Sequence, residues 1–398
     1  MAEKQHNKAL MRTILLIALV QMIHAATMPG INIIATEVFP QYSLQTIQTA
    51  MSLPGVLSVF SGFAAAMLVR YGICSKRFMV LAGLLLIVLT GVTVIILNTR
   101  FWQLCIVNVL LGLGMGAFIP SAQSITFDNF DQETRQFITG VQLSFINGGG
   151  IILSLLAGFL IAELVWYGGY MVTLLVTPVL IVSFINIPKD EKMKSAVKGG
   201  IIKTKLPTAV YYYAFLSFLF MIFFNVLGVN LSTHLAAGNI GDSATAGIAS
   251  AILMAGGVIF GFSFTKLSPV IRDYIFPLAF LVLFVAFTLL NLFSESLFVT
   301  FVSMFMSGST LSLFVPRCVF NVSNLTDPTN SATATMLIAS VAPGSGTFLS
   351  PIIMTNITYA IGGHSTRFRF QFSAFVCLVI AVILFAYHHS KEKAVVKT

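Results

Sequence analysis

Long apolar segments alternate with short polar ones along nearly the whole chain. Each apolar segment runs for about 20 residues or more, which is the length that crosses the hydrocarbon core of a bilayer as an α-helix. The segments show no strict alternation of apolar and polar residues, and this excludes a membrane β-barrel. The pattern predicts an all-α membrane protein with twelve helices, at 12–36, 45–69, 78–98, 101–126, 136–161, 167–187, 208–232, 244–265, 273–293, 297–320, 331–359 and 368–388.

Landmarks of the first half of the chain return in the second half. Pro316 and Gly344 follow Pro120 and Gly148 at the same distance of 196 residues, and a polar turn separates the two landmarks both times. This spacing indicates an internal duplication that gives two pseudo-symmetric six-helix bundles. The predicted divisions are an N-terminal bundle, a cytoplasmic basic linker and a C-terminal bundle, at 1–188, 189–206 and 207–398.

The composition agrees with lipid as the solvent of the chain. Only 9% of the residues are charged, 57% are hydrophobic and the mean hydropathy is +0.94, whereas a soluble domain carries about 25% charged residues. The net charge of +9 is spread beside the helices and forms no basic domain, so nucleic acid is not a predicted partner. The four scattered cysteines suggest neither a disulfide framework nor a metal site, and no cofactor is predicted.

The basic residues also predict the orientation in the membrane. Of the 22 Lys and Arg residues, 19 fall in segments on one side of the predicted helices, and only Arg100, Arg367 and Arg369 fall on the other. Because basic residues concentrate in cytoplasmic loops, both termini are predicted to be cytoplasmic in an inner or plasma membrane. The first apolar run lacks a cleavage signal and is interpreted as a retained helix.

A basic motif lies between predicted helices 2 and 3, where Arg70-Tyr71-Gly72 is followed by Lys76-Arg77. Together with the two six-helix halves, the basic linker and the Gly-rich fourth helix, it resembles the major facilitator superfamily over the whole chain. The resemblance implies a secondary transporter that binds its solute near the bilayer midplane, between the halves, and works by alternating access. It also implies a role in conformational gating for Arg70, Gly72, Lys76 and Arg77.

Several family motifs are altered in this chain. Ala65 and Val69 replace the glycine and the acid that precede the basic motif, and Asn108 stands where the fourth helix of the family often has an arginine. Leu155 replaces a proline that many antiporters of the family carry in the fifth helix. The resemblance therefore implies the fold and transport, but it carries over neither a proton relay through helix 4 nor an assignment to the drug–proton antiporters.

Candidate solute contacts are polar side chains within the predicted helices, since such groups usually face the bundle interior. In helix 1, Gln21, His24, Met28 and Asn32 follow one another at steps of three and four residues, which predicts a shared face. His24 is open to three interpretations: a neutral histidine bonded to a neighbouring helix, a solute contact or a proton-coupling group. Glu37, near the outer end of helix 1, is the second candidate for proton coupling.

Helix 10 carries a second polar stripe that includes Ser307, Thr310 and Arg317. Arg317 is either an anchor near the cytoplasmic end or a contact for an anion on the inner side of the cavity, because a guanidinium can bind a carboxylate or sulfonate through two bonds. No Asp or Glu is predicted deep within a helix. The remaining candidate contacts are single residues of helices 4, 5 and 7: Asn108, Met115, Gln142 and Asn225.

These observations predict a transporter of an organic anion or a neutral amphiphile, acting as a monomer in the bilayer with protons as an optional coupling ion. A proton-coupled multidrug exporter ranks second, since a cation exporter would more naturally hold a buried carboxylate. A non-transporting receptor or scaffold ranks third. An enzyme is not predicted, because no nucleophile–base pair or metal cluster is expected at depth.

Overall fold

The structure is a computed structural model that describes residues 2–189, 206–326, 334 and 336–396. All the regular secondary structure of these residues is helical, and twelve segments there are long and apolar enough to cross a membrane. We number these segments spans 1 to 12. The prediction of an all-α membrane protein with twelve transmembrane helices is confirmed.

The chain divides into two compact units, Met1–Lys205 and Leu206–Thr398, with six spans in each. Most of the predicted linker at 189–206 lies outside the described residues, so its boundaries stay a prediction. Each unit has its own apolar core. In the second unit, Phe220 stacks on Phe314 with ring centroids 4.1 Å apart, and Phe280 meets both rings edge-on.

Four of the six spans in the first unit are single α-helices. Spans 2 to 5 lie at Leu44–Arg70, Lys76–Ile96, Phe101–Asn129 and Gln132–Glu163. Span 6 combines α-helical Gly168–Met171, 3₁₀-helical Val172–Leu175 and α-helical Val176–Asn186.

Span 1 departs from the continuous α-helix that the sequence predicts at 12–36. Its first α-helix, Ala2–Leu19, is followed by a turn and by a 3₁₀ helix at Ile23–Gly30. A single α-helical turn at Ile31–Ile33 and a π-helical turn at Ile34–Val38 complete the span. The expectation of one uniform α-helix was therefore wrong. A face shared by residues three and four positions apart depends on a regular 3.6 residues per turn, and span 1 does not keep this regular step.

The second unit contains four long single helices and two spans with irregular starts. Spans 7, 8, 10 and 12 lie at Thr208–Ala237, Ser243–Ile271, Leu297–Leu325 and Thr366–Val396. Span 9 is the α-helix Ile275–Leu292, preceded by the 3₁₀ turn Arg272–Tyr274. Span 11 combines the π-helical turn Leu337–Val341 with the α-helix Ala342–Ala360, and its predicted first residues lie outside the described ones.

Polar side chains cap the starts of several helices. Ser43, Ser75, Asp131 and Ser296 each accept a hydrogen bond from the backbone N–H three residues later. Asp242 does the same before span 8, and the Thr245 N–H holds the pKa of that carboxyl below its usual range. These caps satisfy N–H groups that have no partner within their own helix.

The glycines of span 4 pack against two neighbouring helices. Gly112 and Gly116, one turn apart, lie against the backbone of span 2, with Pro54 next to Gly112. Gly114 points the other way, and its backbone meets that of Gly83 in span 3. A side chain at any of these glycines would collide with backbone atoms of its neighbour. The cluster therefore serves close helix packing, as the sequence predicts.

Candidate functional site

The broken geometry of span 1 separates the candidates that the sequence assigns to one face. His24 and Met28 both lie in the 3₁₀ segment, where three residues make a turn, so a step of four residues rotates the side chain by about 120°. Asn32 lies beyond it in an α-helical turn. The shared face of Gln21, His24, Met28 and Asn32 is therefore corrected by the structure, although each residue stays a candidate contact.

Three predicted contacts in the first unit have unmet hydrogen-bonding capacity. The Nε2 atoms of Gln21 and Gln142 and the Nδ1 atom of His24 are buried without a hydrogen-bond partner among the described residues. Buried polar groups are usually bonded, so each such group needs an explanation. A polar solute would supply the missing partner. Glu37, in contrast, is exposed in the π-helical turn.

Asn108 lies in a fully buried cluster that joins spans 2, 4 and 6. Its Nδ2 donates to the Leu104 carbonyl at 3.0 Å and lies 2.9 Å from the Tyr170 hydroxyl. That hydroxyl also lies 2.9 Å from the Met51 sulfur. The polar groups of Asn108 and Tyr170 therefore satisfy each other. Met115, another candidate contact on span 4, is 8% exposed and lies in the apolar core of the first unit.

Tyr170→Phe is expected to lower the free energy of unfolding by about 1–2 kcal/mol, because it leaves the buried Asn108 amide one partner short. Tyr167→Phe serves as the control, since the Tyr167 hydroxyl has no hydrogen bond among the described residues. Thermal unfolding in detergent compares the two variants. Equal stability of both would show that the hydroxyl of Tyr170 contributes nothing.

The basic motif of the first unit makes contacts with spans 4 and 6. Lys76 pairs with Asp128 at the end of span 4. Arg77 donates through Nη2 to the Phe184 carbonyl at 2.6 Å and lies over the Phe184 ring. Gly72 has a φ of +68°, a conformation that glycine adopts without strain. Arg70 ends span 2. A role in gating remains a prediction for all four motif residues.

In the second unit, Arg317 is held by an internal carboxylate. Its Nε and Nη2 atoms donate to Oδ1 of Asp273 at 3.0 and 2.8 Å, and Nη1 donates to the Ser268 hydroxyl at 3.1 Å. Asn321, one turn further along span 10, donates to the same Oδ1 at 2.8 Å. We call Ser268, Asp273, Arg317 and Asn321 the Asp273 latch.

Sequence reasoning missed Asp273 as the partner of Arg317. It placed the acidic residues at helix ends and took Arg317 as either an anchor or an anion contact. Asp273 lies in the 3₁₀ turn before span 9, 44 positions from Arg317. Because this carboxylate already neutralises the guanidinium, the proposed contact between Arg317 and a substrate anion has no geometric support in this conformation.

The other candidates of the second unit have local partners. The hydroxyls of Ser307 and Thr310 donate to backbone carbonyls of their own helix, and Thr310 also lines an apolar cavity of about 230 Å³. Asn225 donates to the Thr347 carbonyl at 2.9 Å and so joins spans 7 and 11. None of these bonds prevents a solute contact, and none provides evidence for one.

Arg369 is a buried cation that the sequence analysis assigned only to the outer side of the membrane. It is 1% exposed, its Nη1 donates to Oδ1 of Asn230 at 2.9 Å, and its guanidinium lies 5.8 Å from the centroid of the Tyr359 ring. Its Nε is buried without a hydrogen-bond partner. Among the described residues, no carboxylate pairs with it.

Among the residues that the structure describes, no group of three or more His, Cys, Asp or Glu side chains could hold a metal ion.

Comparison with solved structures identifies the fold. PepTSo, a transporter of the POT family, matches with a TM-score of 0.76 and 12% identity over 96% of this chain and 98% of its own. The nucleoside transporter NupG matches with a TM-score of 0.72 and 14% identity, covering 95% and 98%. A bacterial homologue of the human lysosomal transporter Spinster matches with a TM-score of 0.68 and 16% identity, covering 98% and 97%.

Sequence comparison identifies the family. No curated protein matches the chain by sequence. The sequence profile described as Major Facilitator Superfamily matches residues 9–268, which is more than half of the chain. This match and the twelve-span fold confirm the resemblance found in the sequence. The chain belongs to the Major Facilitator Superfamily of membrane transporters.

Proposed function

We propose that this protein is a secondary active transporter that moves a small organic solute across the cytoplasmic membrane by alternating access. Its family and its twelve spans support a role in transport. The excess of basic residues on one side of the spans supports an orientation with both termini in the cytoplasm.

The proposed substrate is an organic anion, and the burial of Arg369 is the observation that carries this proposal. A charge removed from water is costly unless an opposite charge compensates it, and ionisable groups within spans usually serve function. Arg369 has a neutral amide and an aromatic ring as neighbours, together with an Nε that lacks a partner. The planar guanidinium matches the geometry of a carboxylate. A substrate carboxylate would supply the missing charge.

Arg369→Gln is expected to abolish stabilisation by the transported anion. A ligand at about 100 times its Kd raises the free energy of unfolding by about 2.7 kcal/mol when it binds only the folded state. A thermal-stability screen of the purified protein against organic anions, neutral amphiphiles and lipophilic cations identifies the ligand. Counterflow of the labelled ligand in vesicles then tests transport.

Arg367→Gln is the matched control, because Arg367 lies two residues earlier, at the start of the same helix, and its Nε donates to Asn291 at the surface. This control should keep both the stabilisation and the counterflow. If Arg369→Gln keeps them too, the anion does not bind at Arg369. If only neutral amphiphiles stabilise and exchange, the substrate is neutral.

A proton-coupled multidrug exporter is the second candidate, and the carboxylate of Asp273 is the observation that favours it. Sequence reasoning ranked this function lower because it expected no acid within the spans. Asp273 lies in the turn before span 9, within the apolar segment Lys266–Leu292, and 31% of its side chain is exposed. Counterflow of lipophilic cations, without any anion, would favour the exporter.

Two further parts of the proposal concern the transport cycle. His24 is a candidate for proton coupling because its buried Nδ1 has no partner, and Glu37 is the exposed alternative at the end of span 1. The pair of Lys76 with Asp128 and the Asp273 latch are proposed to stabilise one conformational state of their respective units.

A further inference from the structure

A cavity of about 440 Å³ lies within the second unit, beside the Asp273 latch. Its lining includes Asp273, Tyr212, Tyr213 and Tyr387. These residues come from span 7, from the turn before span 9 and from span 12. The volume is in the range of small-molecule sites. We call it the Asp273 cavity.

The carboxylate of Asp273 offers only one of its two oxygens to the latch. The hydrogen bonds from Arg317 and Asn321 all end on Oδ1. Oδ2 accepts none from the described residues, and the side chain keeps 31% of its surface exposed. Asp273 therefore retains an acceptor with negative charge at the wall of the cavity.

Aromatic rings form much of the remaining wall. The ring of Tyr212 lies 5.2 Å from that of Tyr213 and 5.8 Å from that of Tyr387, measured between centroids. The Tyr212 hydroxyl is buried without a hydrogen-bond partner among the described residues. Tyr213 is already bonded to Asn321 through its hydroxyl, at 3.0 Å. The wall of the cavity thus combines three tyrosine side chains, one hydroxyl without a partner and the Asp273 carboxylate, and it also includes His388.

We propose that the Asp273 cavity binds an organic ammonium group. The ring faces attract a cation through their quadrupole, and Oδ2 of Asp273 supplies the counter-charge. An anion would be repelled by the same oxygen. This site is separate from Arg369, which lies at the start of span 12, whereas Tyr387 lies 18 positions later on the same helix.

The bound cation and Arg317 would share one carboxylate. Oδ1 would stay with the guanidinium while Oδ2 accepts from the ammonium group, so the occupant would draw negative charge away from the latch. Occupancy of the cavity therefore acts on the contact between spans 9 and 10. This makes the cavity a regulatory site that responds to amines.

The first test measures binding of tetramethylammonium, choline and ethanolamine to the full-length protein in detergent by calorimetry, with sodium chloride as the control for ionic strength. Asp273→Asn is expected to weaken binding by about tenfold or more, because it removes the counter-charge. Arg317→Gln is expected to keep or tighten binding, since it removes a competitor for the same carboxylate. A general loss of structure would weaken binding in both latch variants, so weakening in Asp273→Asn alone is not expected from it.

Tyr387→Leu tests the ring without touching the latch, and Tyr387→Phe is its matched control. We expect weaker binding for the leucine variant and wild-type binding for the phenylalanine variant, because only the ring face is required. If Asp273→Asn and Tyr387→Leu both bind the amines as the wild type does, the proposal is overturned. Arg369→Gln should leave amine binding intact, so failure of the anion proposal is recognised separately.

The ammonium group could belong to a free solute or to a lipid headgroup. Nanodiscs of phosphatidylglycerol alone, compared with nanodiscs that also contain phosphatidylethanolamine, distinguish the two sources. Binding of free amines in detergent assigns the site to a solute. Stabilisation only by phosphatidylethanolamine, lost in Tyr387→Leu, assigns it to a lipid. The absence of both effects in the wild-type protein would refute the site.

Discussion

Gly149→Ala is expected to destabilise the protein, whereas Gly148→Ala, one residue earlier on the same helix, is expected to be neutral or stabilising. A Cβ atom at Gly149 would overlap the backbone carbonyl of Leu19, at the end of the first α-helix of span 1. Backbone atoms cannot rotate away as a side chain can, so spans 1 and 5 would have to separate. Overpacking of this kind costs about 1–3 kcal/mol.

Gly148 has no such close contact with a neighbouring helix. No atom lies within 4 Å of a Cβ built at Gly148, and alanine is favoured over glycine in a helix interior by about 1 kcal/mol. Apparent melting temperatures in detergent and the yield of folded protein compare the two variants. A Gly149→Ala protein as stable as Gly148→Ala would mean that spans 1 and 5 are not packed backbone to backbone.

The same close contact explains why the shape of span 1 could not be predicted from its sequence. The segment reads as one long apolar helix, and hydropathy responds to length and composition rather than to helical pitch. The turn after Leu19 lies where Gly149 approaches it, and Gly169 meets the Ala26 carbonyl further along the span. These contacts join residues far apart in the chain, so no local pattern reveals them.

The twelve spans, in contrast, could be predicted almost completely. Backbone groups in lipid need partners within their own segment, so an apolar stretch of sufficient length has to be helical. The ends were less accurate: span 8 was predicted to stop at residue 265, but it continues to Ile271 through Pro269. This extension brings Ser268 to the Arg317 guanidinium. Ser268, which resembles a loop residue in the sequence, is therefore part of the Asp273 latch.

The charged residues show the limit of sequence reasoning about the site. In the sequence, Arg317 and Arg369 both lie near the ends of predicted helices, where long basic side chains can reach the membrane surface. The structure distinguishes them: Arg317 is paired with Asp273, whereas Arg369 bonds to the neutral Asn230 amide and lies over the Tyr359 ring, and no carboxylate among the described residues pairs with it. This distinction depends on which helices are adjacent, and a single sequence does not contain that information.

Each unit contains a charge pair that links two neighbouring spans, and the order of the basic and the acidic residue along the chain differs between the units. In the first unit, the basic Lys76 at the start of span 3 meets the acidic Asp128 at the end of span 4. In the second, the acidic Asp273 before span 9 meets the basic Arg317 of span 10. Arg77 and Asp273 are separated by the same 196 residues as Pro120 and Pro316. The same offset relates Arg317 to Ser121 and Asp128 to Asn324, so the two charge pairs do not occupy equivalent positions and the duplication does not explain the second pair.

Loss of both charged partners of the Asp273 latch, Asp273 and Arg317, is expected to cost less than the sum of the two single losses. Removing one partner from a fully buried pair costs about 3–5 kcal/mol, because the other charge is left without compensation. We expect about 2 kcal/mol for Asp273→Asn or for Arg317→Gln, since 31% of the Asp273 side chain is exposed and water screens the remaining charge. The double variant leaves no isolated charge, so its loss should be smaller than the sum by about 1–2 kcal/mol.

A double-mutant cycle of thermal unfolding measures this coupling. Lys266→Gln is the control, because Lys266 is an exposed cation of the neighbouring span 8 and its loss should change stability by no more than about 0.5 kcal/mol. Additive effects of the two latch substitutions would show that Arg317 and Asp273 are not energetically coupled. Arg317 would then be uncompensated in the functional protein, and the organic-anion contact assigned to Arg369 would have to be tested at Arg317 as well. Coupling of the expected size leaves Arg369 as the buried cation available to a substrate.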